Sequence, residues 1–170
     1  MRFRDLLLIV GLFFCCTLFA QDLQVDSRLR PYLQDFIKSC KDYDIPYRDK
    51  LLRLERIAIV SSLPVSEQDA TLGMLRRDEN GAVQAIEINW MAQIDPEILK
   101  IVAFHEFGHY FLEYESHVCD DCDHIMAVIN TSYFEIAQNW EHHLKILFEE
   151  SPAYQRQLNV MNTVASNKKP

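Results

Sequence analysis

The chain has 170 residues, of which 49% are apolar and 25% charged, and its formal net charge is −8. This is the composition of an ordinary globular protein, and it excludes wholesale disorder. The acidic balance, without a block rich in lysine or arginine, argues against a nucleic-acid partner. The length predicts one domain, since domains commonly span ~100–200 residues.

Residues 1–20 have the pattern of a secretory signal peptide. Two arginines precede an apolar run over 6–19, which ends at Ala20 and polar residues. The run is shorter than the ~20 residues that a membrane helix needs. We therefore expect cleavage after Ala20, a single domain over 21–170, and a secreted or periplasmic protein without a stable membrane span. If the segment were retained, it would anchor the protein to the membrane.

The next elements follow from the spacing of apolar residues. Helical spacing over residues 28–43 predicts an amphipathic helix. A β-branched run over 56–62 predicts a buried strand. Residues 71–90 predict a β-hairpin, because apolar and polar residues alternate after the turn sequence DENG.

A second helix is predicted to begin at Asp95 and Pro96, an N-cap residue followed by proline. It contains HEFGH, in which His105 and His109 stand four residues apart and share a face, so that both imidazoles can reach one ion. Glu106 is rotated about 100° from His105 and can address a water molecule without being a ligand. Zinc suits such a site, because it lowers the pKa of bound water to about 7. Glu106 can take the proton and pass it to a leaving amine.

A zinc site of this kind needs a third ligand. The side chains within reach in the sequence are Glu113, Glu115, His117, Asp123, His124, Glu135 and Glu141. On ligand chemistry His117 is preferred, with Glu115 and His124 as the main alternatives.

The pattern HEFGH…H…IM resembles the metzincin group of zinc endopeptidases, in which the helix is followed by a third histidine and a methionine turn. In that pattern a glycine and the third histidine stand three and six residues past the second histidine. This chain has Leu112 and Glu115 at those positions, and His117 comes eight residues past His109. The late histidine resembles that of a group of small secreted bacterial metallopeptidases with an HExGH motif.

The resemblance extends over roughly residues 85–148. Ile125 and Met126 correspond to the methionine turn, and Met126 would form an apolar floor below the histidines. The order of the predicted elements, helix, strand, hairpin, helix, loop and helix, indicates an α+β fold. The resemblance implies a compact zincin-like domain with a small twisted sheet, an active-site helix, a methionine-turn loop and a C-terminal helix.

Three cysteines remain after the predicted cleavage: Cys40, Cys119 and Cys122. Outside the cytosol one pair could form a disulfide, although the sequence does not determine which. A disulfide within CDDC that stiffens the loop carrying His117 is favoured over a redox motif. A second, four-thiolate zinc site cannot be built from three cysteines.

Residues 131–150 predict one last helix, with Ser132 and Glu135 as a capping box and a single apolar stripe. His142 and His143 are expected on its surface. Tyr133 is expected to pack at its start, although it could also stabilise an oxyanion.

These observations predict a secreted zinc endopeptidase that acts on a peptide or protein substrate. One zinc ion per chain would be held by His105, His109 and His117, with Glu106 as general base. The strand over 83–90 is expected to lie at the sheet edge and to bind an extended substrate. The alternatives are a catalytically silent zinc-binding domain and a thiol–disulfide protein acting through its CDDC segment.

Overall fold

The computed structural model describes residues 22–61, 63, 71–129 and 133–166. The predicted signal segment, residues 1–20, lies outside this part of the chain. Among the described residues, no helix combines the length and the apolar character needed to span a bilayer.

Helices and strands are mixed along the chain, as the sequence predicts for an α+β fold. In chain order the described elements are β1 (Gln24–Val25), α1 (Arg30–Asp42), α2 (Arg48–Arg53), β2 (Arg56–Val60), β3 (Gly73–Arg77), β4 (Val83–Asn89), a 3-10 helix (Trp90–Ile94), α3 (Pro96–Phe111), β5 (Cys119–Asp121), β6 (Ala127–Ile129), α4 (Tyr133–Gln138), α5 (Trp140–Glu149) and α6 (Pro152–Ser166). The first helix, the strand, the hairpin and the HEFGH helix are all at the predicted places. The short elements β1, α2, β5 and β6 and the last helix, α6, were not predicted.

Four strands form the main sheet in the order β1-β2-β4-β3. Strand β4 pairs in parallel with β2 and antiparallel with β3. The prediction that residues 83–90 form the edge is therefore wrong, because β4 lies inside the sheet and β3 is the edge strand. The hairpin pattern indicates that β3 and β4 pair, but nothing local indicates that β2 pairs with the far side of β4.

A buried carboxylate links three strands of this sheet. Glu87 on β4 is only 2% exposed, and it forms ion pairs with Arg56 on β2 and Arg76 on β3. Burial opposes ionisation of Glu87, but hydrogen bonds from the two arginines outweigh it and hold the pKa of Glu87 below its ordinary value. On the polar face of β4, Glu87 is therefore buried by ion pairs within the sheet and is not exposed to solvent.

Helix α3 lies at the centre of the molecule. The sequence predicts an amphipathic helix here, but buried residues occur on every side of it, as in a fully enclosed helix. On one side it contacts β3 and β4. On another side Phe36 of α1 packs its ring 5.3 Å from the rings of Phe104 and Phe107, and 5.2 Å from Phe148 of α5.

The single C-terminal helix predicted over 131–150 is broken into α4 and α5 at Asn139. This residue leaves the helical conformation (φ −110°, ψ 34°), and its side-chain amide donates to the carbonyl oxygen of Glu135 at 3.3 Å. An asparagine side chain competes with the backbone in this way, which favours a helix end. The predicted capping residue Ser132 lies outside the described residues.

Candidate metal centre

Helix α3 places two histidines of HEFGH on one face. Its start is fixed by Asp95, whose side chain accepts hydrogen bonds from the backbone N–H groups of Glu97 at 2.7 Å and Ile98 at 3.4 Å. From there the helix runs without interruption through His105 and His109 to Phe111.

The two imidazoles are oriented by backbone carbonyl groups. The Nδ1 of His105 lies 2.7 Å from the carbonyl oxygen of Ile125, and the Nδ1 of His109 lies 2.6 Å from that of Tyr114. A carbonyl oxygen can only accept, so each Nδ1 must carry the hydrogen. In a neutral imidazole Nε2 is then a bare lone pair, which is the atom needed for metal ligation.

The chain reverses direction directly after α3, at Glu113. This residue adopts a left-handed conformation (φ 67°), a region that glycine adopts far more readily than other residues. The conformation is held by ion pairs of its carboxylate with Lys50, at 2.8 Å, and with Arg156. The left-handed residue stands four positions past His109, one later than the glycine of the metzincin pattern.

The reversal brings His117 back onto the face of α3. Its Nε2 lies 3.1 Å from the Nε2 of His105, which is itself 3.1 Å from the Nε2 of His109. The ligand atoms of the three histidines all lie within 4.8 Å of one another, and in the described part of the chain no other group of three His, Cys, Asp or Glu residues is arranged to hold a metal ion. Neither Glu115 nor His124 joins this group. The three histidines could hold a metal ion.

The atoms of the site fit a bound cation. Since Nδ1 carries the hydrogen in His105 and His109, their Nε2 lone pairs face each other at 3.1 Å with no proton between them. A cation relieves that repulsion, and tetrahedral zinc with bonds of 2.0–2.1 Å would set such nitrogen atoms about 3.3 Å apart. Burial, with the neighbouring rings of His109 and His117, lowers the pKa of His105 to about 3. Burial also lowers the pKa values of His109 and His117, which favours the neutral form of all three rings.

Glu106 lies inside the fold, on the side of α3 that faces the sheet. It is 5% exposed, and burial raises its pKa to about 8. Between α3 and the sheet it faces Gly73 at the start of β3. A Cβ added at Gly73 would lie 2.5 Å from the Cγ and Cδ atoms of Glu106. A bulkier residue cannot occupy that position without displacing the Glu106 side chain.

Met126 lies beneath the HEFGH segment. It is fully buried, and its sulfur would be 2.6 Å from a Cβ added at Gly108. Its backbone N–H donates to the Nδ1 of His124 at 2.8 Å. That bond assigns His124 a role in the turn, where the ring is 8% exposed. Met126 therefore packs against α3 at Gly108, the residue before His109.

The loop between His117 and Met126 is closed by a disulfide. Cys119 and Cys122 are bonded, and Cys40 is a buried free thiol. The favoured local pairing is therefore confirmed. Strands β5 and β6, which pair in parallel, further tie the two ends of this loop together.

One histidine of α5 lies deeper in the fold than the sequence predicts. His143 was expected at the surface but is only 8% exposed, and its Nδ1 has no hydrogen-bond partner among the described residues. Burial, with His142 beside it, lowers the pKa of His143. Tyr133 is half-buried at the first position of α4 and packs against the core, as predicted.

The group of three histidines is exposed to solvent on the side of His117. His117 is exposed, and a cavity of about 380 Å³ lies beside it, lined by residues 113–118 with Pro152 and Arg156. A molecule in this cavity would contact His117, the one histidine of the three that lines it. Comparison with protein-family models, curated proteins and solved structures found no match to this chain.

Proposed function

We propose that this chain is an exported zinc-dependent endopeptidase of the metzincin type. The observation that carries the proposal is the convergence of the Nε2 atoms of His105, His109 and His117; on α3 the residue after His105 is the buried Glu106. Hydrogen bonds to backbone carbonyl groups orient the rings of His105 and His109, so that the Nε2 lone pairs of both are available to a metal. Metal-binding histidines usually have such hydrogen bonds on their other ring nitrogen.

Zinc is the metal that this donor set fits best. Three imidazole nitrogens with an open fourth side are typical of catalytic zinc, whereas structural sites are closed by four protein ligands. The exposed position of His117 and the adjacent cavity leave such a side open. Zinc held there would polarise a peptide carbonyl group and activate water for attack.

Glu106 is the proposed general base. Its carboxylate would take a proton from the attacking water as the new C–O bond forms, and would give it to the leaving amine as the C–N bond breaks. Burial favours the protonated form of Glu106 in the protein alone. A nearby positive charge lowers the pKa of a carboxyl group, so a loaded site would favour the carboxylate that this role requires.

The methionine and the disulfide support the metzincin assignment and a secreted or periplasmic location. Met126 lies below the HEFGH helix, as the methionine turn does in that group. The bond between Cys119 and Cys122 is stable in an oxidising compartment, which agrees with the predicted signal peptide.

The substrate would bind along β3 and not along β4. Among the described residues β3 pairs with β4 alone, so its other edge carries unpaired backbone groups. An extended peptide could add to that edge by main-chain hydrogen bonds. Gly73 places this edge beside Glu106, so a peptide bound there would pass close to the general base.

The test is zinc content together with cleavage of a mixed peptide library by the mature protein. We expect one zinc per chain, cleavage that disappears in Glu106→Ala with zinc retained, and loss or weakening of zinc in His117→Ala. Bound zinc without cleavage of any peptide would favour a silent zinc-binding domain. Activity that depends on Cys119 and Cys122 and survives in Glu106→Ala would favour a thiol–disulfide protein.

A further inference from the structure

The first residue of the edge strand is in direct contact with the proposed general base. Gly73 pairs with Ile88 in the β3–β4 register, and its missing Cβ points at Glu106 on α3. An alanine Cβ would lie 2.5 Å from both Cγ and Cδ of Glu106, and closer still to Oε1. Ordinary carbon–carbon contacts begin near about 3.5 Å, so one of the two groups would have to move by about 1 Å.

The strand is held in place at this point, which leaves the glutamate as the group that must move. The backbone N–H of Asn89 donates to the carbonyl oxygen of Leu72 at 2.8 Å, immediately before Gly73. The amide of Asn89 also donates to the carbonyl oxygen of Thr71 at 3.3 Å. Both bonds fasten the start of β3 to the interior strand β4.

The backbone angles of Gly73 do not account for the glycine. Its φ is not in the left-handed region, and it lies within a paired strand where glycine is usually unfavourable. The close approach of the Glu106 side chain is the reason that the structure offers for its presence. Gly108 differs, since its added Cβ would meet Met126.

We propose that Gly73 is a positioning residue for Glu106, because the space left by its missing side chain seats the carboxyl group against the backbone of the edge strand. The inference rests on the proposed peptidase function. It connects the strand that would bind substrate with the group that would transfer the proton. A displacement of about 1 Å at a catalytic group can lower the rate by about 100-fold.

The first arm of the test is thermal unfolding of the metal-free protein. Gly73→Ala should lower Tm by roughly 4–8 °C in the wild-type background, as expected for overpacking of a tight contact. Gly73→Ala should cause the same loss of Tm in the Glu106→Gln background, because glutamine keeps the shape of the side chain. In Glu106→Ala, where the clashing atoms are absent, the loss should fall below about 2 °C. Gly108→Ala is the matched control, and its effect should be the same in all three backgrounds.

The second arm is steady-state cleavage by the zinc-loaded protein at a temperature where the variant is folded. For Gly73→Ala we expect kcat to fall about 100-fold with KM changed less than about threefold and one zinc per chain retained. A general loss of folded protein would instead lower the zinc content as well. A wild-type kcat in the folded variant, or an equal Tm loss in the Glu106→Ala background, would overturn the inference. A wild-type protein that cleaves no peptide would refute the proposed function, while the unfolding arm would still report on the contact.

Discussion

The contact between Gly108 and Met126 allows two opposing effects to be compared. In Gly108→Ala the new Cβ would lie 2.6 Å from the sulfur of Met126 and 3.5 Å from Cδ1 of Leu147. The second distance is an ordinary contact, but the sulfur must move by about 1 Å to reach one. Met126 is fully buried, and its backbone N–H is bonded to His124, so it has little room to move.

The magnitudes decide the direction of the change. Alanine in place of glycine inside a helix stabilises by about 1 kcal/mol, whereas forcing an extra methyl group into a packed core costs about 1–3 kcal/mol. We expect Gly108→Ala to lower the free energy of unfolding by about 1 kcal/mol, or Tm by about 2–4 °C in a domain of this size. Urea unfolding of the metal-free protein measures the first value and calorimetry the second.

The same displacement should reach the metal centre. Gly108 lies between Glu106 and His109 on α3, and groups that support metal-binding histidines commonly change affinity by about 10–100-fold. We expect zinc to bind Gly108→Ala about 10-fold more weakly in competition with a chelator. A variant that is about 1 kcal/mol more stable than wild type, with unchanged zinc affinity, would refute the reasoning. It would mean that Met126 does not require glycine at this position.

Three further outcomes are expected from separate parts of the structure. Replacing Cys119 and Cys122 by serine should cost about 2 kcal/mol in urea unfolding, the chain-entropy value for so short a loop, and should weaken zinc binding through His117. Glu87→Gln should lower the free energy of unfolding by about 2 kcal/mol. The loss is smaller than for a fully buried ion pair because the two arginine partners are half-exposed. A change below about 0.5 kcal/mol would contradict this reasoning. Burial lowers the pKa of His143 in the folded state, so stability should fall as pH drops below about 6.5, where the unfolded chain takes up a proton. His143→Phe should flatten that slope by up to about 1.4 kcal/mol per pH unit, measured by urea unfolding at pH 5–7.

Elements with strong local signals were predicted well from the sequence. Asp95 and Pro96 start α3 as expected, because capping depends only on neighbouring residues. The DENG turn joins β3 and β4, where the side chain of Asp78 accepts from the backbone N–H groups of Asn80 and Ala82. The local disulfide and the grouping of His117 with His105 and His109 were likewise predicted from spacing and ligand chemistry.

Features that depend on distant residues were missed or misplaced. Strand β4 alternates in sequence like a strand with one exposed face, but residues 85–89 are buried on both faces, and Glu87 on the polar face is paired with Arg56 and Arg76. Strands β5 and β6 have three residues each, too short for any periodic signal. The burial of His143 is decided by the packing of α5 after the break at Asn139, which a single continuous stripe of apolar residues does not reveal.

The turn after α3 shows how a distant contact can replace a local signal. A non-glycine residue in the left-handed conformation costs about 1–2 kcal/mol, which Glu113 incurs where the metzincin pattern has glycine one position earlier. Half-exposed ion pairs contribute up to about 1 kcal/mol each, so the pairs with Lys50 and Arg156 together offset that cost. Lys50 also donates to the carbonyl oxygens of Tyr110 and Phe111, which caps the end of the helix. Lys50 and Arg156 stand 63 and 43 residues from Glu113, so the sequence around HEFGH does not reveal what stabilises the turn. The chain nevertheless reverses without the glycine, and His117 reaches the other two histidines.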